Sequence, residues 1–292
     1  MVHKTFDRAL RRIGYRYRVT TADEYRLLGF SAEDQAAAEA FAADPVVVAD
    51  LAEQLRAGVG VQGAEPQLRM PEDTRNTVAA LLETLPEIRK YHAELGIPDD
   101  VSWATLADLG LQLRVSRQTH GEYGLATHWW LTIHWAGQIY ALGRLQFMLY
   151  QVTADKPVPG AETGEWVLGV HIPESGRLSP ELVDASFAQA REFFPRFFPQ
   201  YPIKTLTLNS WLLDPYLLDN LPPESNMVRF GRRFTPYGTP SDSQDSAIFF
   251  TFRTHGLERL DELPQDTTLQ RLVVNRIKQG GTWQSALGYA KL

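Results

Sequence analysis

Apolar residues recur every three or four positions through the first part of the chain. Between residues 74 and 95 this spacing places them on one face of a helix, with a kink or break predicted at Pro86. Cap signals mark further helices, since Ser31 precedes an Ala-rich stretch and Asp44 precedes a proline. Ser102 is the predicted cap of another helix, which runs to about residue 116. The pattern therefore predicts a helical N-terminal part.

The pattern changes after Gly137. Aliphatic and aromatic residues dominate 139–152, which predicts a strand, or two strands bent near Gly143. A strand at 166–172 and another at 204–212 flank a helix that begins at Ser179-Pro180-Glu181. The apolar stripe of that helix is Val183, Phe187, Ala190 and Phe194, and Pro195 and Pro199 are expected to bound it. One helix between two strands favours a βαβ unit with parallel strands.

The last part of the chain mixes short apolar runs with polar segments. Residues 227–234 and 247–253 are interpreted as two strands joined by a loop rich in Pro, Gly and Ser. A final helix at 269–279 is expected to end at Gly280-Gly281. The whole is predicted to be an α+β or α/β chain, in which a β-rich part follows a helical part.

Composition narrows the classes of protein. The 292 residues are 44% hydrophobic and 22% charged, as in globular proteins, and the net charge of −6 argues against a general nucleic-acid binder. With zero cysteines there is no disulfide, no thiolate metal site and no cysteine acyl-enzyme. His128 and His134 lie six apart, which is not the spacing of a helical metal site, so no metal is predicted. No apolar run suits a membrane span or a secretory signal, and a cytoplasmic protein is expected.

The N-terminus is basic and amphipathic. Its charged residues are Lys4, Asp7, Arg8, Arg11, Arg12, Arg16 and Arg18, and Phe6, Leu10, Ile13 and Tyr17 fall at helical spacing. The segment is either a targeting or membrane-surface helix, or a helix that docks its apolar stripe on the domain, and we favour docking. His3 and Asp7 match the His-x-x-x-Asp string of some acyltransferases, but they lie in this basic segment.

Candidate chemistry gathers where the two parallel strands end. On the first strand, Gly169 and His171 share one face, and the helix that follows offers free N–H groups suited to an anion. Arg177 adds a forked cation. The alternative is an ordinary βα connection with a buried histidine. At the end of the second strand, Tyr216 can donate a proton, or Asp214 simply caps a short helix on which Tyr216 packs.

Several segments resemble a bacterial family of acyltransferase-domain proteins. They are residues 166–181 (WVLGVHIPESGRLSPE), 209–215 (NSWLLDP), 221–230 (LPPESNMVRF), 140–147 (YALGRLQF) and 268–272 (TLQRL). That family has a helical N-terminal domain and a C-terminal domain similar to GNAT (Gcn5-related N-acetyltransferase) enzymes. The resemblance implies a helical domain at 1–136, and at 137–292 a GNAT-like mixed β-sheet flanked by helices.

The resemblance also implies acetyl-CoA or another acyl-CoA as co-substrate, no metal, and direct attack by a small-molecule amine or hydroxyl acceptor. Carried onto this sequence, CoA binding falls on Ile172, Pro173, Ser175, Gly176, Arg177, Leu178, Asn209 and Ser210. His171 or Glu174 is the implied base, and Tyr216 the implied acid for the departing thiolate. The loop departs from the family's Gln/Arg-x-x-Gly-x-Gly/Ala pattern, because it holds one glycine and is followed by Pro180. The alternative is a non-catalytic GNAT-like module that binds a small molecule or serves as a scaffold.

Overall fold

The computed structural model describes residues 18–63, 68–69 and 71–292. The amphipathic segment before Arg18, with His3 and Asp7, lies outside these residues. The chain divides into two compact units, Met1–Ala141 and Leu142–Leu292. The domain boundary proposed from the sequence, after residue 136, is kept as a proposal.

The described part of the first unit is helical as far as Trp135, as predicted. Its helices are α1 (Ala22–Leu27), α2 (Ala32–Ala40), α3 (Pro45–Gly58), α4 (Arg75–Glu83), α5 (Leu85–Glu94), α6 (Asp99–Leu106), α7 (Asp108–His120) and α8 (His128–Trp135). Ser31 and Asp44 cap α2 and α3 by accepting hydrogen bonds from backbone N–H groups of the first turn. The predicted break before Pro86 is confirmed, since α4 ends at Glu83 and α5 carries Pro86 in its first turn.

The cap predicted at Ser102 is wrong. Helix α6 begins three residues earlier, at Asp99, after Pro98. Ser102 lies inside the helix at 1% exposure, and its hydroxyl is 2.7 Å from Nδ1 of His92. The serine hydroxyl therefore pairs with one nitrogen of a buried histidine and does not cap a helix.

The described residues form a sheet of six strands, and the boundary between the units falls within its first strand. The strands are β1 (Ile139–Leu142), β2 (Leu145–Gln151), β3 (Trp166–His171), β4 (Thr205–Ser210), β5 (Thr235–Asp242) and β6 (Gln284–Lys291), in the order β1-β2-β3-β4-β6-β5. Strands β3 and β4 are parallel, whereas β2–β3, β4–β6 and β5–β6 pair antiparallel. The predicted mixed sheet and parallel βαβ unit are therefore confirmed.

Helix α9 (Pro180–Phe197) joins the parallel strands and packs on the sheet. Its predicted apolar stripe is buried, and the rings of Phe187 and Phe194 lie 6.1 and 6.4 Å from that of Phe147 on β2. Pro195 does not bound the helix but lies inside its last turn.

The two strands predicted at 227–234 and 247–253 are wrong. The first run holds α11 (Asn226–Gly231), which follows α10 (Pro215–Asn220), and the second holds α12 (Gln244–Phe252). The polar segment between them is strand β5, which lies at the sheet edge, where proline and glycine are tolerated. The final helix, α13 (Thr268–Lys278), is confirmed, and β6, which the pattern did not predict, follows it.

Candidate active site

The two parallel strands part in the middle of the sheet. Their register contains only the pairs Leu168–Leu206 and Gly169–Thr207. Strand β3 stays paired with β2 as far as His171, and β4 stays paired with β6 as far as Ser210. The ends of β3 and β4 are therefore held on their outer sides and unpaired toward each other. We call this opening the fork.

Side chains from three strands meet where the fork begins. The hydroxyl of Tyr150 on β2 is 2.6 Å from that of Thr207 on β4, and burial raises the pKa of Tyr150. Gly169, on β3, is approached closely by two side chains. A Cβ placed there would stand 3.4 Å from His171 Nε2 and 3.4 Å from the Tyr150 ring. The close approach is thus made by the protein's own side chains, and His171 folds back along its strand.

The loop after β3, residues 173–178, is organised by a buried arginine. The guanidinium of Arg144 donates from Nε to the carbonyl of Arg177 (3.1 Å) and from its two terminal nitrogens to Pro173 (2.9 Å) and Gly176 (3.1 Å). We call this loop the first exit. Arg144 is 9% exposed, and its burial lowers the pKa of the guanidinium.

Turning these carbonyls toward Arg144 fixes the direction of the amides that share their peptide planes. In a trans peptide the C=O and the N–H point in opposite directions, and the structure contains no cis bond among its described residues. The N–H groups of Glu174, Arg177 and Leu178 therefore point away from the guanidinium. None of the three donates to an acceptor among the described residues. The first exit is a set of free donors suited to an anion.

The other predicted residues of the first exit fall around this arrangement. Ile172 and Pro173 are half-buried, and Ser175 donates its N–H to the Pro173 carbonyl at 2.8 Å. Gly176 adopts φ +79°, which a glycine tolerates best, and Leu178 is buried.

Glu174, a candidate base, is engaged by Arg253. The guanidinium of Arg253 meets the two carboxylate oxygens at 3.2 and 2.6 Å, and it also lies over the rings of Phe249 and Phe250. Arg253 has φ +56°, and among the described residues no other non-glycine has a positive φ. The Glu174 carboxylate therefore serves first as an anchor of the loop.

The segment that includes the end of β4 and the residues after it, 209–216, is built differently, and we call it the second exit. Asn209 is exposed, and Ser210 accepts a hydrogen bond from the N–H of Leu212 at 3.1 Å. Asp214 is 1% exposed and accepts from the N–H of Tyr216 (2.8 Å), the N–H of Gln284 (2.8 Å) and the Arg276 guanidinium (2.7 Å). The carboxylate thus ties three elements together.

The Tyr216 ring packs among aromatic residues, as the alternative interpretation expected. It lies edge-on to Trp283 at 5.9 Å, and the Arg276 guanidinium lies 4.3 Å from its centroid. In the structure the candidate bases His171 and Glu174 and the CoA candidates between 172 and 178 lie in one stretch at the fork, and the CoA candidates Asn209 and Ser210 lie on the opposite strand. Tyr216 lies beyond them, in the cluster of Trp283.

Sequence reasoning missed Arg144, Arg253 and Tyr150. Arg144 stood inside a segment that carried the resemblance, but its partners lie 29 to 33 positions along the chain. Its one available signal was a charged residue within an apolar stretch, which is typical of a buried group with a specific role. Arg253 lay in a run interpreted as a strand.

The chain matches two family models in succession. Residues 20–137 match the N-acyltransferase N-terminal domain, and residues 139–290 match the GNAT-like C-terminal domain. None of the curated proteins compared with the chain matches it.

Solved structures of acyltransferases are similar over nearly the whole chain. A complex with decanoyl-CoA and teicoplanin is 33% identical, with a TM-score of 0.85 over 95% of this chain and 90% of that one. A mutant acyltransferase in complex with octanoyl-CoA is 32% identical, with a TM-score of 0.85 over 94% and 90%. The predicted acyl-CoA-dependent acyltransferase is therefore confirmed, and the chain belongs to the family that joins an N-acyltransferase N-terminal domain to a GNAT-like C-terminal domain.

Proposed function

We propose that this chain transfers a medium-length acyl group from its CoA thioester to an amine, and that the reaction takes place at the fork. The observation that carries the proposal is the parting of β3 and β4 beside a loop with three free N–H groups. The acyl length follows from the similar structures, which hold octanoyl-CoA and decanoyl-CoA. The amine follows from the N-acyltransferase description of the first domain.

The donor is proposed to bind along the first exit. The diphosphate of CoA would accept hydrogen bonds from the N–H groups of Glu174, Arg177 and Leu178, and the exposed Arg177 side chain adds a charge. Ile172, Pro173, Ser175 and Gly176 form the rest of this wall. Asn209 and Ser210, at the end of β4, form the opposite one.

His171 is the proposed base, because it ends β3 within the fork while the Glu174 carboxylate is held by Arg253. Acyl-CoA supplies the electrophilic thioester carbon. A C–N bond forms to the acceptor as the C–S bond breaks, and His171 accepts the acceptor's proton. Tyr216 is kept as the proposed donor of a proton to the thiolate. This role requires its hydroxyl to reach the fork from the Trp283 cluster.

The acceptor is proposed to be a molecule of the teicoplanin type, because two similar structures hold teicoplanin or 10C-teicoplanin. No helix of the described residues is long and apolar enough to cross a bilayer. We propose a cytoplasmic enzyme, since acyl-CoA is made and kept inside cells.

Transfer assays test this function. Acyl-CoAs of two to sixteen carbons would be offered with a panel of amines and alcohols that includes teicoplanin-type glycopeptides. Released thiol and product mass would be measured. We expect the highest kcat/KM at eight to ten carbons and acylation of an amine. Tight acyl-CoA binding in calorimetry, without transfer to any acceptor, would instead support the non-catalytic module.

Two substitutions test the proposed roles within that assay. His171→Gln and Tyr216→Phe are each expected to lower kcat by about 10²- to 10⁴-fold, the usual contribution of a positioned acid or base. His255→Gln and Tyr201→Phe are matched controls, because His255 pairs with Asp245 and Tyr201 stacks on Trp166. An unchanged kcat in Tyr216→Phe would return that tyrosine to the role of a packing residue.

A further inference from the structure

We infer that Arg144 is the positioning residue of the donor site, where it sets the first exit into an anion-binding shape and supplies the positive charge behind it. This inference rests on the proposed donor site. In GNAT enzymes a glycine-rich sequence lets the loop turn its N–H groups toward the anion. Here we assign that role to one residue outside the loop.

Arg144 is fixed in place by the backbone around it. It follows the turn at Gly143, and its N–H donates to the Ser186 hydroxyl of α9 at 2.8 Å. That hydroxyl in turn donates to the Leu182 carbonyl at 3.0 Å. The helix that begins after the first exit thus also anchors the residue that shapes the first exit.

The guanidinium uses its three nitrogens on three carbonyls of one short loop. A planar guanidinium has donors in fixed directions and can do this, whereas a lysine ammonium on a flexible stem cannot hold the same three directions. Each carbonyl that Arg144 captures turns the paired N–H of Glu174, Arg177 or Leu178 away from it. The number of outward donors is therefore set by Arg144 and not by glycine content.

The charge of Arg144 is not balanced by an acid. Within the described residues no carboxylate pairs with it, and its partners are carbonyls and a serine hydroxyl that accepts from its backbone. A buried cation is costly unless a negative charge is near. A diphosphate on the outer side of the loop would supply that charge. The protein would therefore bind the anion to satisfy both the free N–H groups and the arginine.

This arrangement accounts for the departure of the loop from the family pattern. Gly176, at φ +79°, is the one glycine in the segment, and Pro180 has no N–H to offer. Without Arg144 the carbonyls of Gly176 and Arg177 would have no donor among the described residues, and that of Pro173 would keep only the N–H of Ser175.

The test compares two octanoyl donors, one with the diphosphate and one without. Octanoyl-CoA and the octanoyl thioester of N-acetylcysteamine would be assayed with wild type, Arg144→Met and Arg144→Lys, using the best amine acceptor. For Arg144→Met we expect KM for octanoyl-CoA to rise by about 10- to 100-fold, the size of losing charge-assisted hydrogen bonds. We expect kcat/KM for the short thioester to stay within about twofold, because that donor has no diphosphate.

The lysine variant and a surface control separate positioning from folding. Arg144→Lys keeps the positive charge but loses the planar guanidinium, so its KM for octanoyl-CoA should fall between those of wild type and Arg144→Met. Arg196→Met removes an exposed arginine at the other end of α9. It should leave both KM for octanoyl-CoA and kcat/KM for the short thioester unchanged.

Two outcomes would overturn the inference. One is an unchanged KM for octanoyl-CoA in Arg144→Met. The other is an equal loss with both donors in both Arg144 variants, which would show a general structural role. Failure of the proposed function is distinguishable, since wild-type protein would then transfer no octanoyl group from octanoyl-CoA at all.

Discussion

The two parallel strands end at the same edge of the sheet, yet their exits are built for opposite purposes. In the first exit a buried cation gathers backbone carbonyls, and three N–H groups are left free. In the second exit a buried carboxylate gathers two N–H groups and a guanidinium, so these donors are satisfied within the protein. Topology alone made both exits candidates, whereas the sign of the buried charge distinguishes them.

The difference shows how the carboxyl ends of two neighbouring strands can serve different purposes, one as a ligand site and the other as a structural contact. The free N–H groups of the first exit remain available to an anion. In the second exit the Asp214 carboxylate joins α10, α13 and β6, and its hydrogen bonds are all made within the protein. Changes in the backbone of the first exit should therefore alter donor binding, and loss of the Asp214 carboxylate should alter stability.

Removal of the Asp214 carboxylate is the strongest test of the structural role of the second exit. Asp214→Ala leaves the Arg276 guanidinium and two N–H groups without their acceptor, so we expect a loss of about 3–5 kcal/mol in the free energy of unfolding. Urea denaturation measures it. Asp184→Ala is the control, because Asp184 pairs with Arg233 at 63% side-chain exposure and should cost at most about 1 kcal/mol. Equal losses in the two variants would show that Asp214 contributes no more to stability than an exposed ion pair.

A smaller effect is expected from the backbone of the first exit. Gly176→Ala forces a side chain into φ +79°, at a cost of about 1–2 kcal/mol, and relaxation of that strain should raise KM for acyl-CoA several-fold. Gly280→Ala is a matched control, since φ there is +78° and neither site has an atom within 4 Å of the added Cβ. Both variants should lose similar stability, but only Gly176→Ala should change KM. A KM change of the same size in Gly280→Ala would contradict a specific role for the loop.

The smallest effect is expected at Glu174. Glu174→Gln removes an ion pair whose carboxylate side chain is 45% exposed, so stability should fall by less than about 1 kcal/mol. If His171 is the base, kcat should be nearly unchanged and the acidic limb of the pH–rate profile should be retained. His171→Gln should lose that limb. If Glu174→Gln loses the limb and His171→Gln keeps it, Glu174 of the first exit would be the base instead of His171.

The sequence was most informative where the cause of structure is local. Ser31 and Asp44 accept from N–H groups two or three residues away, and the stripe of α9 repeats along a single helix. Such interactions join residues close in the chain, so pattern and spacing reveal them. The same reasoning placed β3, β4 and the helix between them.

It failed where a segment suits either structure by itself. The apolar runs now known as α11 and α12 are too short for their periodicity to separate a helix from a strand. Strand β5, with its prolines and glycine, is strand only because β6 pairs with it at the edge. Neither partner could be inferred before the other was placed.

The sequence by itself thus determined the helical first part, the βαβ unit and the place of the first exit. Only the tertiary structure decided what that exit can do, because Arg144 and the carbonyls it holds are about 30 residues apart along the chain. The same holds for Asp214 and its partners Arg276 and Gln284. A strand–loop–helix pattern specifies where backbone N–H groups could face a ligand, and distant side chains decide whether they do.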